Sequence, residues 1–206
     1  WLLVSTVLVL LMTLPGVALF YAGLVRRKNV VNTLASVFAV ACVVTLTWFA
    51  LGYSLAFSQG SSWLGGLARA GFAAMRLDGA AGTVSVSHLA PHVPEAVYAL
   101  FQMAFAVITT CLIVGAVVER MRFAALLLFA ALWSVLVYAP VAHWVWEADG
   151  WLYKLGALDF AGGAVVHVNA GVAALVCAAM LGRRQGYGRQ AFEPHSLGWT
   201  AIGTAL

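Results

Sequence analysis

Of 206 residues, 64% are hydrophobic and only 9% charged, with a mean hydropathy of +0.97, whereas a soluble domain runs roughly 45–50% apolar and 25% charged. That composition excludes a water-soluble globule and makes the bilayer the solvent. The net charge of +4 and pI near 9.2 do not indicate nucleic acid, because the basic residues fall in short clusters beside apolar runs, as membrane topology requires.

Residues 2–25 carry no charge and close on Arg26-Arg27-Lys28, which reads as a first span. The basic cluster follows the apolar run instead of preceding it, so a cleaved signal peptide is not expected. The chain opens on Trp1, which points to a missing native start. A second uncharged run covers residues 30–57 and exits through Ser58-Gln59-Gly60-Ser61-Ser62. From there to Pro94 the composition turns to Gly, Ser and Ala with Arg69, Arg76, Asp78, His88 and His92, a long loop with a short helix expected near Trp63 to Met75. Pro94-Glu95 starts a third span, 95–118, with an acidic residue in its first turn. Only Glu119-Arg120-Met121-Arg122 separates it from a fourth, 123–143, so these two are antiparallel neighbours; Pro140 is placed to kink the fourth. A fifth span covers 159–181 and closes on Gly182-Arg183-Arg184, and residues 197–206 open a sixth that the chain cuts off. The whole chain, 1–206, therefore reads as part of a single all-α integral membrane domain.

Eight Lys and Arg (Arg26, Arg27, Lys28, Arg120, Arg122, Arg183, Arg184, Arg189) fall on one side and three (Arg69, Arg76, Lys154) on the other. The positive-inside rule makes the first side cytoplasmic and the N-terminus external. Cys42, Cys111 and Cys177 are far apart inside apolar runs and the five histidines are scattered, so neither a disulfide framework nor a metal site is expected.

Polar and aromatic residues at membrane depth mark the candidate sites. His167 shares a helical face with Gly163, Ala164, Ala170, Gly171 and Ala174, which serves either close helix packing or a narrow lumen with an imidazole on its wall. Asp159, ahead of Phe160-Ala161-Gly162-Gly163, can cap the first free amides of the fifth span or attract a cation. Phe101 and Phe105, with Tyr98 on the same face, and the pair Trp144 and Trp146 fit either a lipid-interface belt or a constriction offering π faces to a cation. There is no Ser-His-Asp arrangement or phosphate loop, so an enzyme is not expected.

Several segments together resemble the ammonium transporter family, the Amt/Mep/Rh proteins. They are Pro15-Gly16-Val17-Ala18-Leu19-Phe20-Tyr21-Ala22-Gly23-Leu24, Phe101-Gln102 with Phe105, Gly115-Ala116-Val117-Val118-Glu119-Arg120-Met121-Arg122-Phe123, Ala142-His143-Trp144-Val145-Trp146 and, most diagnostic, residues 156–170 from Gly156-Ala157-Leu158-Asp159 to His167-Val168-Asn169-Ala170. The resemblance implies a helical bundle of about eleven spans built as two inverted five-helix repeats, the first present here, in a homotrimer with a path through each subunit. It implies transport of ammonium or ammonia, with methylammonium as a mimic, across the plasma membrane. It makes Phe105 and Trp146 the recruitment site, Phe101 one of two phenyl gates, His167 the first of two pore histidines and Asp159 a structural or cation-stabilising residue. It brings no cofactor, and a PII-type nitrogen regulatory protein is the expected cytoplasmic partner. The same fold serves as an ammonium-sensing domain of larger signalling proteins or as a gas channel of the Rh type. The loop that starts at Glu147 is less glycine-rich than is usual for the family.

Overall fold

The computed structural model describes residues 1–73, 75–79 and 82–206; Ala74, Ala80 and Ala81, inside the expected loop, lie outside the described residues. Among the described residues, five helices are long and apolar enough to cross a bilayer: α1 (Leu2–Leu24), α2 (Arg27–Phe57), α3 (Glu95–Val117), α4 (residues 123–146) and, after a one-turn α5 (Trp151–Lys154), α6 (Gly163–Leu181). At 1.5 Å per residue, 23 residues reach about 35 Å, enough for a hydrocarbon core of about 30 Å. A final helix, α7 (Leu197–Ala205), is started by Ser196, whose hydroxyl accepts the Trp199 N–H.

The helix α3 is central. It packs on α1, α2 and α6, and 61% of its apolar window is buried against 17% for α6, so α6 lies at an edge with one face uncovered. Val37, Val40 and Val44 of α2 and Val107, Ile113 and Val114 of α3 form the dry centre. Where α7 crosses α1, glycine permits the approach: a Cβ on Gly203 would drive into the backbone of Phe20 and Gly16.

Proline inside the spans is absorbed by widened turns. Met12–Val17 in α1 is π-helical around Pro15, and Ser134–Tyr138 in α4 is π-helical just ahead of Pro140. A proline ring removes one main-chain donor and crowds the carbonyl four residues back, and a wider turn relieves both inside the bundle. Trp48–Gly52 in α2 and Gly163–Val168 in α6 widen without a proline.

The two ends of the bundle differ. At the basic end Glu119, just past α3, accepts from Arg26 Nε (3.2 Å), Asn29 Nδ2 (2.6 Å) and Arg184 Nη1 (2.8 Å), joining the α1–α2 turn to the connector after α6. Burial opposes ionisation of this carboxyl, but the donors outweigh it and hold the pKa at about 2. The connector is seated further by Phe192, whose ring lies 4.7 Å from the guanidinium carbons of both Arg26 and Arg184.

At the opposite end the described residues near Trp63 to Met75 form no α-helix, contrary to expectation. Among them the regular structure is a single 3₁₀ turn, Ala70–Phe72, because Gly65, Gly66 and Gly71 interrupt the apolar pattern and Gly71 adopts φ +60°. The loop continues into two antiparallel pairs, β1 (Leu77–Asp78) with β2 (Thr83–Val84) and β3 (Val86–Ser87) with β4 (Ala90–Pro94). It is strapped to the bundle by two buried carboxylates. Glu95 accepts from Arg69 at 2.6 Å and from the Tyr53 hydroxyl at 3.0 Å, and Glu147 accepts from His88 at 2.7 Å.

Candidate functional site

The candidate site gathers at the loop end, where α3, α4 and the approach to α6 meet. Phe101 and Phe105 are four residues apart on α3, so their rings fall on one face one turn apart, 5.0 Å between centroids and nearly perpendicular at 80°. Phe105 is in turn 5.8 Å from the Trp146 ring at 75°. Edge-to-face contacts of this kind hold each ring in one orientation while leaving a π face free. Trp146, the last residue of α4, is fixed by its indole N–H, which donates to the Asp159 carbonyl oxygen at 2.8 Å.

Asp159 carries the arrangement on into α6. Its carboxylate accepts four main-chain N–H groups: Gly162 (2.6 Å) and Gly163 (2.8 Å) on one oxygen, Ala164 (2.8 Å) and Val165 (2.9 Å) on the other. Gly162 at φ +93° makes the turn that lets these amides converge; a residue with a Cβ would be strained there and would meet the Val166 side chain. Burial pushes the Asp159 carboxyl up, the four amides outweigh it, and the net shift is downward. With every accepting direction used by donors from its own helix start, the carboxylate acts as a cap.

His167 lies in the widened turn Gly163–Val168, which changes the face read from helical spacing. A π turn takes more residues per revolution than the 3.6 of an α-helix, so Gly163 and Ala164 are not stacked over His167 in simple α register. Val165, Val166 and Ala170 face inward, so Ala170 leaves the expected face, whereas Gly163, Ala164, His167 and Gly171 are on the uncovered side, and a Cβ built on Gly171 meets nothing within 4 Å. The imidazole stands exposed on an open face of small residues, and close packing with another helix of the described residues does not explain it.

Other expected members belong elsewhere. Trp144 donates its indole N–H to the Trp63 carbonyl at 2.7 Å and packs with Trp63 and Trp151. Tyr98 packs on Phe57 and accepts from Gln102. The reading of the residues missed His143, fully buried, whose ring nitrogens meet the carbonyl oxygens of Ala56 (2.9 Å) and Ser61 (2.8 Å), tying α4 to the exit of α2. It also missed the carboxylates Glu95 and Glu147 beneath the loop; their partners are 26 and 59 residues away, and no local pattern reports them.

Comparison with known proteins decides the family. Residues 1–206 match the Ammonium Transporter Family over their whole length. The chain belongs to that family. It is 49% identical over 199 residues to an ammonium transporter of Bacillus subtilis, covering 97% of this chain and 46% of that protein. An ammonium transporter of Archaeoglobus fulgidus is 44% identical over 207 residues, 100% of this chain and 48% of that protein. The crystal structure of Candida albicans Mep2 superposes with a TM-score of 0.84 at 35% identity, covering 100% of this chain and 44% of that one. A structure described as a sensor Amt protein superposes at 0.85 with 25% identity, covering 100% of this chain and 50% of that one. The chain thus spans about half the length of the relatives that it matches. Family membership and five spanning helices make it a multi-pass membrane protein.

Proposed function

We propose that the full protein, a transporter and not an enzyme, moves ammonium inward across the plasma membrane, with the N-terminus and the long loop outside and the basic end in the cytoplasm. The observation that carries this reading is the continuous linkage Phe101, Phe105, Trp146, Asp159, α6, His167: the rings that can receive a cation are braced by the residue that starts the histidine helix. A π face replaces part of the hydration of ammonium at about 0.5–2 kcal/mol per ring. Further in, a charge in a dry lumen is costly, so loss of the proton becomes favourable and ammonia passes a neutral imidazole that can donate or accept a hydrogen bond. Potassium has no proton to lose, which supplies selectivity.

Helix order refines the two ring roles. Glu95 is the outer end of α3, so Phe101 lies one turn outside Phe105. The deeper ring, in contact with Trp146, both receives the cation and closes the way towards His167; the gate expected of Phe101 passes to Phe105, and Phe101 widens the receiving wall. A homotrimer, and a PII-type protein on the basic face, are the family expectations for assembly and partner. The sensor reading has the weaker sequence likeness, 25% identity against 49% for the Bacillus subtilis transporter.

Solid-supported-membrane currents in proteoliposomes of the full-length protein test the proposal. Wild type gives ammonium-induced currents, and His167→Phe, which roughly keeps ring volume, assembles normally and loses them. Wild-type currents in the Phe variant would refute the pore role.

A further inference from the structure

Four of the five carboxylates at the loop end, Glu95, Glu147, Asp149 and Asp159, differ in what neutralises them. Buried Glu95 has the Arg69 guanidinium at 2.6 Å, Asp159 has four helix amides, and Asp149 is partly exposed and 3.5 Å from Lys154. Glu147 differs from all three. Its side chain is 1% exposed, its Oε1 accepts from His88 Nε2 at 2.7 Å, and its Oε2 is buried with no hydrogen-bond partner among the described residues. His88 carries a charge only when protonated, so of these four acids Glu147 alone lacks both a permanent cation and a set of amides.

Its position is as informative as its partners. Glu147 follows Trp146 directly, about 3.8 Å away from Cα to Cα, and so sits beside the indole that contacts Phe105. His143, one turn back on α4, has both ring nitrogens committed to Ala56 and Ser61. His88 lines a cavity of about 590 Å³ together with Gln59, Arg69 and Ser87.

We propose that Glu147 is a specificity-determining charge for the aromatic site: without touching the substrate, it holds a negative potential behind Trp146 that favours a monovalent ammonium-class cation over the neutral amine. The inference rests on the transport reading above. The three rings bear no formal charge, and their attraction for a cation is short-ranged. A carboxylate shielded from water acts over a longer distance and raises the local concentration of cations at the mouth.

Uptake of labelled methylammonium by proteoliposomes of the full-length protein tests the proposal through two variants. Glu147→Gln removes the charge at nearly constant shape. His88→Arg leaves the carboxylate in place and its tie to the loop intact, but sets a permanent cation beside it, and the adjoining cavity has room for the longer side chain. Both variants are expected to raise the half-saturating concentration about three- to tenfold, the size of effect expected from losing one nearby charge, with the maximal rate unchanged. A purely structural Glu147 predicts wild-type half-saturation for His88→Arg, and that result would overturn the proposal. If Glu147→Gln fails to assemble, His88→Arg decides alone. Absence of saturable uptake in wild type would remove the transport reading and this inference with it, whereas normal wild-type uptake with unshifted variants removes this inference only.

Discussion

Four N–H groups converging on one side chain make Asp159 an unusually loaded cap, since a typical capping residue satisfies one or two. Asparagine offers one accepting oxygen in place of two, so Asp159→Asn keeps half of the arrangement, and Asp159→Ala leaves four donors to find water or remain unpaired. We expect a lower melting temperature in both, with the alanine variant the worse at roughly 1–3 kcal/mol for each buried donor left without a partner, read by thermal unfolding of the full-length protein in detergent. Because the folded carboxyl titrates below its ordinary 3.8, its contribution is complete above that pH and is lost as pH falls through the lowered value. The acid limb of the stability profile should therefore flatten in Asp159→Asn; an unaltered limb would argue that the amides are not held by the charge. Asp159 was legible in the sequence because capping is local, a carboxylate directly ahead of a Phe-Ala-Gly-Gly helix start. His88 and Glu147 were not, since their meeting depends on the path of a loop 59 residues away.

At the scale of elements, hydropathy reports whether a segment can lie in lipid but says nothing of how its main-chain hydrogen bonds are spaced. The apolar spanning helices were accordingly readable from uncharged runs, whereas the widened turns at Trp48–Gly52 and Gly163–Val168 contain no proline and left no mark. The second of these matters for the site, because the face assigned to His167 had presumed 3.6 residues per turn. The short helix expected near Trp63 to Met75 does not form among the described residues, because three glycines in that stretch disfavour helix. Joints between elements are equally invisible to periodicity, and Glu119 is the clearest of them. Its carboxylate takes donors from the α1–α2 turn and from the connector after α6. With a folded pKa near 2 against an ordinary 4.5, it stabilises fully above pH 4.5 and progressively less as pH falls towards 2. Glu119→Gln should lower stability at neutral pH and reduce its loss on acidification, and should raise hydrogen exchange in residues 183–196. Unchanged exchange there would show that the connector is held by Phe192 and its two arginines instead.

For the whole molecule, the orientation decides which of these sites meets the substrate first. Eight basic residues flank one end of the bundle and three the other, and the basic end has two carboxylates, Glu193 and Glu119, the latter shared between Arg26 and Arg184. The loop end, in contrast, buries carboxylates against its few cations, as Glu95 does with Arg69. Retention of an unneutralised cluster of Lys and Arg is favoured on the cytoplasmic side, by the insertion machinery and by anionic lipid, so the loop end, with Phe101, Trp146 and Glu147, should face outward. Two single cysteines read this directly in a background lacking Cys42, Cys111 and Cys177. Gln59→Cys, exposed at the loop end, should react with a membrane-impermeant maleimide added to intact cells. Gln190→Cys, exposed on the connector at the basic end, should react only after permeabilisation. The reverse pattern would place the aromatic rings on the cytoplasmic side, where the same Phe105, Trp146 and His167 order would have to serve release of the substrate and not its capture.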